Sequence, residues 1–203
     1  MNTKAIEESE MATDILTLLK ELGIKNGHRI DICCGIGREI PGASYKNMLP
    51  LYLKSRPSCK TNQARQIARP DLIVIDTQLK VVDLIIEFEY DTNPKNLIGN
   101  YFSVFMAEEY KPRNEKATYN LDASRTTHFL LTCLNKRGIK PKEQAAIEKG
   151  KAVAEWLELA SGLLTGMAQF SKIKKAHALA GDDWQQMKTY FAKLVKEACP
   201  QMF

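Results

Sequence analysis

Residues 69 to 95, RPDLIVIDTQLKVVDLIIEFEYDTNPK, restrict the possible folds of this chain more than any other stretch. Leu72 to Asp76 and Val81 to Phe88 are dense in β-branched residues, with Thr77-Gln78-Leu79-Lys80 between them. Branched side chains pack well on a pleated surface, so two such runs joined by a short link predict an antiparallel hairpin. Alternation along the second strand puts Val82, Leu84, Ile86 and Phe88 on one face. Val81, Asp83, Ile85, Glu87 and Glu89 fall on the other. Acids inside so apolar a segment need a reason.

The flanking segments read as the helices and strands that complete a layered domain. Residues 3 to 22 carry Ile15, Leu18, Leu19 and Leu22 at the spacing of one helical face. Thr3 or Asn2 suits the start of that helix, and Gly23 its stop. HRIDICC, residues 28 to 34, reads as a first strand closed by Gly35-Ile36-Gly37. The third glycine of a nucleotide-binding loop is missing there, so a structural turn is the better reading. After the hairpin, Asn93 or Thr92 can cap a helix opened by Pro94. Its apolar stripe of Leu97, Ile98, Tyr101, Phe102, Phe105 and Met106 reaches about Tyr110. THFLLTCL, residues 127 to 134, has the continuous apolarity of an interior strand. Residues 142 to 163 predict a long helix that buries Ala146, Ile147, Val153, Trp156, Leu157 and Leu163. Gly166 and Gly181 bound a further helical segment, and Asp182 or Asp183 caps a last helix from Trp184 to about Ala198. This order predicts an α/β domain with a mixed central sheet flanked by helices. Its core falls within residues 1–140, and a C-terminal helical part, 141–203, packs on the same domain.

A chain of 203 residues buries roughly 70% of its unfolded surface and needs no disulfide staples. Its five cysteines, Cys33, Cys34, Cys59, Cys133 and Cys199, are odd in number and show neither C-x-x-C nor zinc spacing. They fit a reducing cytosol. Acids at Glu7, Glu8, Glu10 and Asp14 argue against a secretory leader. No apolar run approaches the roughly 20 residues of a membrane span, so a soluble cytoplasmic protein without a membrane partner is expected. A net charge of +5 permits a polyanionic partner without demanding one. Basic residues crowd at 135 to 151 and 172 to 175. Arg38, Lys46, Lys54, Arg56, Lys60 and Arg65, interleaved with Tyr45 and Tyr52, make 38 to 68 basic as well. That stretch reads equally as a grip on a nucleic-acid backbone and as a solvated excursion.

Three of the central acids can meet. Residues i and i+2 on a strand lie on one face about 7 Å apart, so Glu87 and Glu89 project together. Hairpin pairing brings Asp71, at the mouth of the first strand, beside them. Three carboxylates at one point do not all stay ionised without a cation or a proton. Oxygen donors without cysteine select a hard ion, Mg2+ with Mn2+ as its substitute. Such an ion is suited to phosphodiester hydrolysis, polarising the phosphoryl group and acidifying a water. Acids at strand ends are also commonly solvated or paired, here with a neighbour such as Arg69. Asp83 lies four residues before Glu87, deeper in the sheet, and an interstrand pair explains it better than catalysis.

Pro70-Asp71, fifteen residues, then Glu87-Phe88-Glu89 resembles the motif of the PD-(D/E)XK nuclease superfamily. The element order from residue 3 to about 134 is similar to that family's restriction-endonuclease-like αβββαβ core. The resemblance implies a magnesium-dependent endonuclease acting on DNA, of restriction or repair type, working as a homodimer. It implies Asp71, Glu87 and the backbone carbonyl of Phe88 as metal ligands. The family's usual lysine is replaced here by Glu89, as in the BamHI-like branch of restriction endonucleases. On that analogy Glu89 would orient or deprotonate the attacking water. Alternatively the lysine has moved to Lys95, at the start of the next helix, where the helix N-terminus also favours an anion. The missing lysine leaves a second reading, a nuclease-fold DNA-binding module without catalysis. A third is an interaction protein whose acids serve solubility.

Overall fold

The computed structural model describes residues 8–33, 43–46, 48–54, 61–89, 93–113, 115–133, 141–166 and 171–203. The elements run α1 (Glu8–Glu21), β1 (His28–Cys33), β2 (Ser44–Lys46), β3 (Leu51–Tyr52), α2 (Asn62–Arg65), β4 (Gln66–Ala68), β5 (Leu72–Asp76) and β6 (Val81–Glu89). They continue with α3 (Pro94–Phe105), β7 (Glu109–Tyr110), β8 (Tyr119–Leu121), β9 (Thr127–Cys133), α4 (Pro141–Gly166), β10 (Lys175–Gly181) and α5 (Trp184–Ala198). The architecture is α/β, one mixed sheet with helices on both faces. Thr3, Asn2, Cys34, the Gly35-Ile36-Gly37 turn, Arg38, Arg56, Lys60 and the basic residues at 136 to 140 lie outside the described residues.

The predicted hairpin forms between β5 and β6, which pair antiparallel. Asp76 closes its turn, with Oδ1 accepting from the N–H of Gln78 (3.0 Å) and of Leu79 (2.9 Å). The register shifts within the pair: Val74 lies opposite Leu84, but Ile75 lies opposite Val82, leaving Asp83 as the extra residue. A bulge of this kind moves one residue out of the alternation. Val82 therefore packs with Ile73, Ile75 and Ile85, while Leu84, Ile86 and Phe88 pack on the opposite face. Strict alternation had put Val82 with Leu84, and Asp83 with Glu87; the bulge corrects both.

β6 is the centre of the sheet. β5 and then β1 continue antiparallel on one side, and β9 and then β10 continue parallel on the other. The first two residues of β6 also pair with β8, which leads into a small antiparallel extension through β7, β3 and β4. α1 and α5 cover one face through Met11, Ile15, Leu16, Leu19, Phe191 and Val195. α3 and α4 cover the other through Leu97, Tyr101, Val104, Ala154 and Leu157.

Several boundaries match the chemistry of the sequence. Gly23 takes φ +81° after α1, a left-handed conformation that favours glycine. Asn93 caps α3 by accepting from the N–H of Lys95 (3.0 Å), with Pro94 in the first turn. Asp183 caps α5, accepting from Gln185 and Gln186. Other expectations need correction. α3 ends at Phe105 rather than near Tyr110, because Glu109–Tyr110 is drawn into the sheet as β7. The segment expected to be helical before Gly181 contains β10 instead, so the C-terminal part is not wholly helical. Its alanines carry no strand signal, but Ala176 and Ala178 are small enough to pack beneath Ala154 and Leu157 of α4. Trp156, expected in the core, is 55% exposed. The side chains of Tyr45, Ala146 and Leu163 lie outside those described. No helix among the described residues is long and apolar enough to cross a membrane.

Candidate metal and phosphate site

Where β5 begins and β6 ends, the chain brings the predicted acids to one cavity. Asp71 N–H donates to the carbonyl of Ile86 (3.1 Å), and its carboxylate Oδ2 accepts from the Phe88 N–H (2.8 Å). These two bonds hold Asp71 across the strand from Glu87. Glu87 and Glu89, only 7% and 9% exposed, occupy the end of β6. Asp71, Glu87, Phe88 and Glu89 all line a cavity of about 530 Å³. Its other walls are Gln66 to Arg69 around β4, and Gly99, Asn100 and Ser103 on α3. Among the described lining residues, three carboxylates face one cation, Arg69. The donors among these described lining residues are carboxylates, amides and a hydroxyl, with neither cysteine nor histidine, a set that fits a hard cation rather than zinc.

The geometry also limits the picture. Asp71 gives one oxygen to the Phe88 amide, and the three acids do not form a set with ligand atoms within 4.8 Å of one another. Lys95 is exposed in the first turn of α3 and does not line the cavity. The part of α3 that does reach the cavity was not singled out from the sequence. Asn100 Nδ2 donates to Glu89 Oε2 at 3.1 Å and fixes that carboxylate's orientation. Asn96, Asn100 and Ser103 interrupt the apolar stripe at helical spacing, and that polar strip was the available signal. Gly99 opens the wall: a Cβ there would meet nothing within 4 Å. On the β4 side, the Gln66 amide oxygen, turned toward Arg69, accepts from the guanidinium Nε and Nη2.

A second polar cluster lies at the other end of β6. His28, Asp76 and Asp83 present ligand atoms within 4.8 Å of one another, so this group could hold a metal ion. It is already furnished with a cation. Arg125 Nε and Nη2 donate to the two oxygens of Asp83 (2.9 and 3.0 Å), and Nη2 also donates to Asp76 (3.2 Å). His28 Nε2 lies 3.1 Å from Asp83 Oδ2, and Gln201 Nε2 donates to Oδ1 at 3.1 Å. The hydrogen bonds to Asp83, outweighing partial burial, raise the Arg125 pKa above its ordinary value. Burial opposes ionisation of Asp76, yet the Leu79 and Gln78 amides hold its pKa below the usual carboxylate range. The expected structural role of Asp83 is what the contacts describe.

The basic stretch from 38 to 68 divides by role. Arg65 is buried, with Nη1 donating to Glu109 at 2.6 Å, and Lys46 donates to Glu115 at 2.6 Å. Tyr52 is buried beside Arg65. These residues build the fold, and only Lys54 stands exposed among the described cations of that stretch. Comparison with family models, with curated proteins and with solved structures returned no match.

Proposed function

We propose that this chain is a divalent-metal-dependent endonuclease that hydrolyses phosphodiester bonds of DNA, of restriction or repair type. The observation that carries the reading is the cavity onto which Asp71, Glu87 and Glu89 open together. In this reading Asp71, Glu87 and the Phe88 carbonyl would hold Mg2+, or Mn2+ in its place. When bound, such an ion neutralises charge on the phosphoryl group and acidifies water. Asn100 orients Glu89, and a carboxylate so fixed, within hydrogen-bond reach of water, accepts its proton. Arg69 stands at the rim as a guanidinium for phosphate oxygens. Two copies related by a twofold axis would let one small subunit cut both strands.

Incubation with plasmid and short duplexes in MgCl2 tests the reading. Cleavage should require the metal, vanish in Asp71→Ala, and fall about a hundredfold or more in Glu89→Gln. Thermal melts of each variant control for folding. Cleavage that survives Asp71→Ala would overturn the proposal. A second reading, a binding module without catalysis, is favoured by the absent lysine at position 89 and predicts metal-independent DNA binding with no product. Calorimetric titration with Mn2+ addresses the plain interaction protein, which predicts no binding event sensitive to Glu87→Ala.

A further inference from the structure

A second cavity, of about 480 Å³, adjoins the acidic one, and Gln66 and Arg69 line both. Among its described lining residues are four cations, Arg69, Lys111, Arg113 and Lys116, and one carboxylate, Glu115. That carboxylate is already held, accepting from Arg29 Nη2 (2.9 Å) and Lys46 Nζ (2.6 Å). Glu109, beneath the groove, is likewise committed to Arg65 (2.6 Å) and Lys111 (3.0 Å). Both carboxylates are thus committed to cations, and Lys111, one of the four groove cations, is paired with Glu109. Arg113 and Lys116 are exposed and form no ion pair among the described residues.

We infer that this groove binds the phosphodiester backbone of a nucleic-acid strand, delivering it past Arg69 to the acidic cavity. Three features support this over a solvated basic face. The cations gather in a concave site rather than along a convex helix. Amide donors, Asn62, Gln63 and Gln66, stand among them as further phosphate partners. The groove also shares a wall with a cavity of opposite charge. A polymer whose neighbouring phosphates lie on cations can hold another phosphate against carboxylates, which would repel a free mononucleotide. The site then acts within a chain, with flanking phosphates supplying most of the binding. The inference rests on the proposed nuclease reading for the role of the acidic cavity, but its test does not.

Fluorescence anisotropy with a labelled 20-nucleotide duplex, in EDTA and without divalent metal, measures binding apart from cleavage. The Arg113→Ala/Lys116→Ala pair should weaken binding about tenfold or more at low salt, and flatten the salt dependence by about 1.8 in log–log slope, two lost phosphate contacts. A control that removes two exposed lysines of α5 that do not line the groove, Lys193→Ala/Lys196→Ala, carries the same charge change and should keep the wild-type slope. Equal loss in both double variants, or in neither, would overturn the inference. A single-stranded DNA and an RNA of the same sequence identify the strand type; an oligoglutamate that competes equally would overturn phosphate recognition. Protein that binds through the groove but never cleaves sinks the nuclease reading and leaves the groove. Protein that cleaves with unchanged binding in the groove variant does the reverse.

Discussion

Replacing Arg125 with methionine should destabilise the fold more than any other single change at the polar end of β6. Asp83 is fully buried, and both of its oxygens accept from this guanidinium at 2.9 and 3.0 Å. In Arg125→Met the carboxylate keeps, among the described residues, His28 and Gln201. Removing one member of a buried ion pair costs about 3–5 kcal/mol, mostly because the surviving charge stays desolvated. The Arg125 side chain is 20% exposed, so water reaches one flank and the lower end, about 3 kcal/mol, applies. In a protein of this length, 1 kcal/mol moves Tm by about 2–4 °C, giving a fall of about 6–12 °C. Adding Asp83→Asn removes the stranded charge and should recover part of the loss, so a double-mutant cycle by urea denaturation at pH 7 gives a coupling above about 1 kcal/mol. A loss below about 1 kcal/mol, or a double variant no better than the single, would refute the argument. So would Mn2+ stabilising the wild type through this cluster, since Arg125 then would not be its cation.

Substitutions at two further positions probe the α3 side of the sheet. His128 is fully buried against Tyr101 and Phe105, neither ring nitrogen has a hydrogen-bond partner among the described residues, and burial, aided by nearby His177, pushes its pKa down to about 3. The unfolded ring protonates near about 6.5, so stability is lost as pH falls from there toward about 3, by up to about 1.4 kcal/mol per unit. His128→Phe should remove that slope from a urea series between pH 4 and 6.5; parallel wild-type and variant curves would contradict it. At Gly99, alanine should stabilise α3 by about 0.5–1 kcal/mol and spare cleavage, because nothing stands within 4 Å of the new Cβ. Phenylalanine there should fill the cavity and abolish cleavage with Tm nearly unchanged, and full activity in Gly99→Phe would place the chemistry elsewhere.

The hairpin, α1, α3, β9 and α5 were legible because each is specified locally, by periodicity, a cap or a turn. Asn93, Pro94, Gly23 and Asp183 all act within a few residues of themselves. What stayed hidden depends on partners distant in sequence. Ala176 to Ala180 form a strand only because β9 offers an open edge and α4 leaves room for small side chains. β7 and β8 are two and three residues long, too short to carry a period, and exist through pairing with β3 and the start of β6. The convergence of Asp71 and Glu87 followed from register alone. The participation of Asn100 and Gln66 did not, since their reach depends on how α3 and β4 sit over the end of β6.

The bulge at Asp83 explains how one strand can carry acids in contrasting surroundings. Without it, Asp83 would share a face with Glu87 and Glu89, and three carboxylates would line a single row beneath α3. The extra residue instead turns Asp83 toward Arg125, His28 and Gln201, where its charge is matched by fixed donors and helps to anchor the C-terminal residues. Glu87 and Glu89 remain on the α3 side, where the described lining residues offer amides, a hydroxyl and one guanidinium beside three acids. A cluster matched by its own arginine holds structure in place, while in the proposed nuclease reading the carboxylates at the cavity wall would attract a cation. The residue types at the two ends of β6 are alike; the neighbours that the fold supplies separate their surroundings.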